Sequence, residues 1–484
     1  MKILITGVTG YIGRRLMERF NKEKNIRLRL FVRKAGALTD IKNSNVEVVE
    51  GDTFNIDSLN RALKGIHTAY YLIHSMASKD GDYEELDRKS AENFRDACIR
   101  NKVKRIIYLG GLGNKESLSR HLKSRIETGE ILSARPAEIQ TIWFRASIII
   151  GSGGASFEII RHLVQKLPFM IAPRWVKTIT QPIGVNEVLE YLVEAAKIPG
   201  KKNLIVDIGA EKISFRDMML EAAEAFGLKR FIIPLPFFSP KLSSYWLVLV
   251  TPVPFPVASA LIEGLKYETI LLNRNAVKYF PAIKPLPYRE TFAQAVTEIE
   301  NDQVISRWCD TAAGVCFIRD VSEVSRAALT EQARAGIKEI PVRYIFQRVL
   351  TIGGERGWFS MNPLWKLRGF ADKLAGGPGL ARGRREKKSL RPGDALDFWK
   401  VVEIIENKRL LLLSQMRLPG RAWLEFTIQN GIFATTAYFI PRGIWGRIYW
   451  YLMYPAHKIM FPKITKSILN EALKDYTNDL NKVQ

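Results

Sequence analysis

The run Lys2-Ile3-Leu4-Ile5-Thr6-Gly7-Val8-Thr9-Gly10-Tyr11-Ile12-Gly13 decides the fold. Lys2–Thr6 reads as a short apolar strand, and Ile12–Asn21 has helical periodicity. Between them Gly7, Gly10 and Gly13 recur at steps of three. In a strand–turn–helix unit one glycine permits the tight turn. A second lets a pyrophosphate approach the backbone, and a third lets the helix pack on the sheet. The helix N-terminus then offers N–H groups and the positive end of its dipole to an anion. The run predicts a dinucleotide cradle made by Gly7, Thr9, Gly10, Tyr11, Ile12 and Gly13. The bland alternative is a tight structural turn.

Outward from this turn, strand and helix signals alternate. Strands are expected at Arg27–Val32, Val46–Glu50, Thr68–Ile73, Arg105–Leu109 and Thr141–Ile150. Helices are expected at Ser58–Leu63, Glu84–Arg100 and Ser119–Ser133. Apolar strands between helices predict an α/β fold with a doubly wound parallel Rossmann sheet, whose ligands bind at the strand C-termini. Residues 151–300 are mixed and predict a small substrate-side subdomain, with a strand at Asn203–Ile208 and a helix capped by Ser214. Residues 301–335 read as a polar helical connector, and 336–484 as an α+β domain. There Phe398–Ile405, Leu410–Met416, Ala422–Gln429 and Ile432–Ile440 form a meander, with Asn430-Gly431 as a hairpin turn. Ala422, Leu424, Phe426 and Ile428 share one face, and a helix around Lys463–Asn478 would cover it. The basic run Arg382–Arg391, after Gly376-Gly377-Pro378-Gly379, reads as a mobile loop.

The chain has 484 residues, 47% hydrophobic and 25% charged, which excludes global disorder, collagen and a disulfide scaffold. Its three cysteines, Cys98, Cys309 and Cys316, fit a reducing cytoplasm and form no metal pattern. No N-terminal targeting signal is visible. Leu242–Ile262 is uncharged, but Pro252, Pro254 and Pro256 interrupt it, so it reads as buried or membrane-contacting and not as a span. The net charge is +24, and residues 320–484 hold 27 Lys and Arg against 15 Asp and Glu. Such a surface attracts anions, and no nucleic-acid-binding motif accompanies it. Trp445, Tyr449, Trp450, Tyr451, Tyr454 and Phe461 interleave with Arg442, Arg447, Lys458 and Lys463. This tail reads as packing of the last helix, as a ligand-pocket wall, or as a peripheral contact on the inner face of a membrane.

Arg33 and Lys34 end the second strand, where an NAD-selective fold places an acid. A basic pair there suits a 2′-phosphate and favours NADP over NAD. Asp52 and Thr53 follow the third strand and are placed at the adenine edge. His74 and Ser75 end the fourth strand, at the nicotinamide edge, where they would contact ribose or substrate. Tyr83 and Arg145 are weaker candidates.

Thr6-Gly7-Val8-Thr9-Gly10-Tyr11-Ile12-Gly13, Gly51-Asp52, Phe144-Arg145-Ala146 to Gly151, and Pro182 to Val188 resemble the short-chain dehydrogenase/reductase superfamily in its extended and atypical branch. A narrower resemblance, spanning almost the whole chain, is to bacterial proteins that join such a domain to a C-terminal domain of unassigned function. It is carried by Tyr71 to Met76, Pro173 to Val176, Leu418-Pro419-Gly420 and Pro455-Ala456-His457. The meander and long helix resemble the helix-grip, START-like fold, whose members often enclose an apolar ligand. The superfamily's usual acid is a Tyr four residues before a Lys, and those places hold His121 and Arg125. The usual helper Ser falls at Gly110-Gly111. The resemblance thus implies catalytic places at His121, Arg125 and His74. A His beside an Arg is mostly neutral at pH 7 and a weak acid. Arg125 still offers donors to ribose hydroxyls. The implied function is an NADPH-dependent reductase of a hydrophobic, isoprenoid- or quinone-like substrate. The alternative is a non-catalytic dinucleotide-binding redox sensor, or a lipid- or partner-binding accessory protein.

Overall fold

The computed structural model describes all residues except 24, 39–44, 74–82, 114–119, 236–250, 252–258, 260–262, 265–266, 302, 308–326, 328, 338, 375–376, 378, 387–388 and 484. The chain divides into two compact units, the first within residues 1–314 and the second mainly within 315–484. The first begins β1 (Lys2–Thr6), α1 (Tyr11–Phe20), β2 (Arg27–Val32), β3 (Val46–Glu50), α2 (Ile56–Leu63), β4 (Thr68–Tyr71) and α3 (Tyr83–Arg100). It continues with β5 (Arg105–Gly111), α4 (Arg120–Ser133) and β6 (Gln140–Ala146). Then come β7 (Ile149–Ile150), α5 (Ala155–Lys166), β8 (Phe169–Pro173), β9 (Ile179–Thr180), β10 (Ile183–Gly184) and α6 (Val185–Ala195). The remainder is β11 (Leu204–Ile208), β12 (Ile213–Ser214), α7 (Phe215–Ala225), β13 (Phe231–Leu235), α8 (Asn275–Tyr279) and α9 (Tyr288–Glu300).

The main sheet has the order β11-β6-β5-β4-β1-β2-β3, and every pairing in it is parallel. This is the expected doubly wound Rossmann sheet. Its order reverses between β1 and β4, which opens a crevice at their C-terminal ends. Thr6 closes the floor there. Its hydroxyl donates to the Tyr70 carbonyl at 2.9 Å and accepts the Leu72 N–H at 3.2 Å. Ser214 caps α7 as expected, accepting from the Asp217 N–H.

The run Thr141–Ile150 is not one strand. The Ser147 hydroxyl meets those of Thr180 and Thr269 at 2.6 and 2.7 Å. The chain turns at that point, and β7 pairs with β10 outside the main sheet. Such contacts between distant residues leave no trace in local periodicity.

The second unit contains β14 (Leu329–Gly336), α10 (Val342–Val349), α11 (Asn362–Leu374), β15 (Ala395–Leu396), β16 (Trp399–Ile405) and β17 (Arg409–Ser414). β18 (Gly420–Gln429), β19 (Ile432–Pro441) and α12 (Gly443–Val483) complete it. The six-stranded sheet runs β14-β19-β18-β17-β16-β15 and is antiparallel. Asn430 and Gly431 both have positive φ, 50° and 75°, as the β18–β19 hairpin requires. Leu424, Phe426 and Ile428 pack in one core with Ile464, Ile468 and Ala472 of α12.

Three expectations for this half need correction. The end of the expected helical connector is strand β14, held by pairing with β19. The last helix starts twenty residues early and runs through Pro455 and Pro462. Both prolines are exposed, while Trp450, Phe461 and Ile464 anchor the opposite face. The basic loop is not free where it is described. Arg384 donates to the carbonyls of Ile352 and Leu350, both at 2.7 Å, and Arg385 is buried against Asp394.

His457 sits between Trp450 and Phe461, with ring centroids 5.4 and 4.8 Å away. Its Nδ1 is buried without a hydrogen-bond partner. Burial, and secondarily Arg368, pushes its pKa down from 6.5 to about 4. The unfolded chain takes up this proton near pH 6.5, whereas the folded ring resists until about 4. The stability involved is intact above pH 6.5 and is lost as pH falls toward 4, up to about 3 kcal/mol. His457→Phe keeps the stacking and removes the titration. Urea unfolding should show the variant gaining on the wild type progressively below pH 6.5, with little difference at pH 7.5 and above.

Candidate dinucleotide site

The glycine turn is built by close backbone approach. Gly7 has φ +66°, and a Cβ there would lie 2.3 Å from the Leu72 carbonyl oxygen. A Cβ on Gly13 would lie 2.3 Å from the Gly7 oxygen, and one on Gly10 2.9 Å from it. The Gly10 N–H donates to the Gly7 carbonyl at 2.8 Å, which closes the turn. α1 starts at Tyr11 with no side-chain cap and no acid in its first turn. Among the described residues no side chain caps its N-terminal amides, an arrangement that suits an anion. Thr9 is exposed at the tip, while Tyr11 and Ile12 are half-buried.

The reverse side of α1 was not foreseen. The Tyr11 hydroxyl donates to the Ser152 carbonyl at 3.2 Å, so its ring faces the segment just after β7 and its backbone faces the turn. Burial pushes the Tyr11 pKa up to about 12. Arg15 is 1% exposed. It donates to the Ser152 carbonyl and hydroxyl, both at 2.8 Å, and lies 3.7 Å from Glu298. Ser152 in turn bonds Glu298, and Ser306 donates to the Tyr11 carbonyl at 2.9 Å. A buried charge network thus fixes the helix that carries the turn. The spacing Tyr11–Arg15 places both on one face, but only the fold shows that this face is inward.

At the end expected to hold adenosine, Arg33 is exposed and Lys34 half-buried just past β2. The neighbouring acid Glu50 accepts the Ala35 N–H at 3.0 Å and shapes the turn that presents Arg33. Asp52 accepts the Phe54 N–H at 3.0 Å. The Thr53 hydroxyl is buried and accepts from Ser90 at 2.8 Å, in a chain that begins at the Tyr71 hydroxyl. Thr53 therefore supports the β3 turn through its side chain, and its carbonyl accepts from the Asn93 amide at 3.0 Å, which leaves its backbone N–H for a base.

At the other end, His121 and Arg125 lie one turn apart on α4, both half-buried. Arg125 donates to the Leu109 carbonyl of β5 at 2.7 Å, and its Nε is buried without a hydrogen-bond partner. The Tyr108 hydroxyl holds the Arg125 carbonyl at 2.9 Å. Gly110 and Gly111 are the last residues of β5. A Cβ on Gly111 would fall 2.3 Å from Leu122, so glycine there lets α4 close on the strand. Arg145 is committed elsewhere. It forms a two-pronged pair with fully buried Asp207, at 2.6 and 3.0 Å, and Asp207 also accepts the Leu272 and Asn273 N–H groups. This corrects the reading of Arg145 as a site residue: the charge is spent joining β6 to β11 and the 272–273 turn. His74, Ser75 and the Tyr83 side chain lie outside the described residues. Among the described residues no group of His, Cys, Asp and Glu is arranged to hold a metal.

Residues 7–139 match the family described as NAD(P)H-binding. Residues 324–464 match the family described as Protein of unknown function (DUF2867). A sterol demethylase protein B of Methylococcus capsulatus (strain Bath) is 27% identical over 116 residues, which are 23% of this chain and only 35% of that relative's length. The solved structure of Citrobacter sp. triphenylmethane reductase aligns with a TM-score of 0.51 at 19% identity, over 61% of this chain and 100% of that one. The same enzyme complexed with NADP(H) aligns at 0.50 and 18% identity, with the same coverage. The first unit thus has a Rossmann α/β fold, and its residues 7–139 resemble the family described as NAD(P)H-binding.

Gly7→Ala should lower stability by about 2–4 kcal/mol, combining positive-φ strain with the clash on Leu72. Thr9→Ala at the exposed tip should change it by less than about 0.5 kcal/mol. Thermal unfolding of the two variants beside the wild type measures both.

Proposed function

We propose that the protein is an NADPH-dependent reductase of a hydrophobic, isoprenoid- or quinone-like substrate that works without the usual Tyr-Lys pair. The observation that carries this reading is the uncapped α1 N-terminus behind Gly7, Gly10 and Gly13, with the exposed cation Arg33 beyond β2. Gly7, Gly10 and Gly13 carry no side chains of their own, so a pyrophosphate can approach the backbone of the turn. Arg33 and Lys34 then receive a 2′-phosphate, which NADP carries and NAD lacks. Asp52 and the backbone at Thr53 meet the adenine. When bound, the nicotinamide supplies a hydride.

The chain's own residues divide the remaining work. Arg125 keeps one nitrogen on Leu109, and its half-buried guanidinium has further donors for ribose. His121, with His74 and Ser75, contacts ribose or substrate. With the superfamily's Tyr and Lys replaced, the fitting substrates are activated alkenes or quinones, which take their proton from solvent. The partial likeness to a sterol demethylase protein supports a substrate of the isoprenoid class. The helix-grip likeness of the second unit supports an apolar ligand.

A second reading, binding without turnover, is supported by the resemblance, which puts His121 and Arg125 of α4 where the superfamily's Tyr and Lys would stand. Titrating the full chain with NADPH and NADH by fluorescence tests the common ground, since failure of both nucleotides ends both readings. NADPH oxidation on adding a lipid extract selects the reductase; binding with no oxidation selects the second reading. Arg33→Asp should weaken NADPH about 30-fold, through loss of a charge-assisted contact, and NADH less than about threefold. Equal losses would refute the choice of NADP.

A further inference from the structure

α12 has two unlike faces. Ile444, Trp445, Ile448, Tyr451, Leu452 and Ile459 recur at helical spacing and share one stripe. That stripe is open: Trp445 is 72% exposed, Tyr451 65% and Leu452 75%. The opposite face buries Trp450, His457, Phe461 and Ile464 in the core of the second unit. The sequence reading of the aromatic tail as packing therefore holds for Trp450 and Phe461, whereas Trp445 and Tyr451 face out. A neighbouring helix extends the apolar surface. Leu367 and Phe370 of α11 are 64% and 58% exposed, and Arg368 of α11 donates to the Tyr449 hydroxyl of α12 at 2.5 Å.

Charge selects the occupant. From residue 442 to 470 there is no Asp or Glu, while Arg442, Arg447, Lys458, Lys463 and Lys466 all occur, and all five are exposed. Two copies of the chain meeting through this face would set cation against cation, which disfavours self-association. Outward-pointing aromatic rings flanked by Lys and Arg suit an interface that is apolar below and anionic above. No described helix is long and apolar enough to cross a membrane, so the contact would lie in the plane of the surface. We infer that the exposed face of α12, with the adjoining face of α11, docks the protein on an anionic lipid bilayer. Trp445, Ile448 and Leu452 enter the headgroup boundary, and Arg442, Arg447 and Lys458 hold the phosphates.

The test uses the purified full chain and co-sedimentation with vesicles. One set is phosphatidylcholine alone and the other phosphatidylcholine mixed with phosphatidylglycerol. Expected are binding to the anionic vesicles only, weakened by added salt. Trp445→Ser combined with Leu452→Ser should lower that affinity at least about tenfold with an unchanged melting temperature, because both side chains lie outside the core. Arg442→Glu with Arg447→Glu should abolish it. No binding to anionic vesicles overturns the proposal. Equal binding to both vesicle types, or unchanged binding by the Trp445/Leu452 variant, does the same. So does a concentration-dependent dimer that dissociates in that variant while vesicle binding is absent, since the stripe would then belong to a second copy.

Discussion

No side chain fits between Gly7 and the carbonyl of Leu72, and the first unit is arranged around that contact. It brings β1 and β4 together at the point where strand order reverses, and it aims α1 at the crevice. Gly13 repeats the constraint one layer out, because its Cα rests against the Gly7 carbonyl. Two backbone approaches thus convert a parallel sheet into an anion-binding edge. Thr6 locks the same place from the side, donating to one β4 residue and accepting from the chain just beyond it.

The turn is also held from behind. Arg15 reaches Ser152, 137 residues away, and Ser152 reaches Glu298. A buried cation of this kind is strongly destabilising when stripped of its partners, and its partners here come from the turn after β7 and from α9. The glycine turn, the turn after β7 and α9 are therefore mechanically one body. Arg145 and Asp207 do comparable work at the other side of the sheet, tying β6 to β11 and to the 272–273 turn. The first unit places several of its charges in joints of the fold, which is why an Arg at a strand end was a poor guide to chemistry.

What was legible in the residues follows the range of the forces involved. β1, β2 and β3 have the bounds their apolar runs predict, because burial of a short strand is decided by its own side chains. Ser214 and the Asn430-Gly431 turn were equally local. The break at Ser147 was hidden because its partners are Thr180 and Thr269. β14 was hidden because Leu329-Thr-Glu-Gln-Ala-Arg-Ala-Gly336 is rich in helix-formers, and pairing with β19 overrides that preference. In the site, the glycine turn could be read because each glycine answers a backbone constraint. The inward direction of Tyr11 and the occupied Thr53 hydroxyl could not, since both depend on where other elements arrive.

β14 settles how this chain can be divided. All eight of its residues pair with β19, from Leu329 opposite Phe439 to Gly336 opposite Ile432. A recombinant fragment begun at residue 336 would strip that cover and leave a ten-residue strand with an open row of amides and carbonyls. Bare edges of this kind recruit strands from other molecules, and such a fragment would precipitate or form filaments. Any truncation meant to isolate the second unit must start ahead of Leu329.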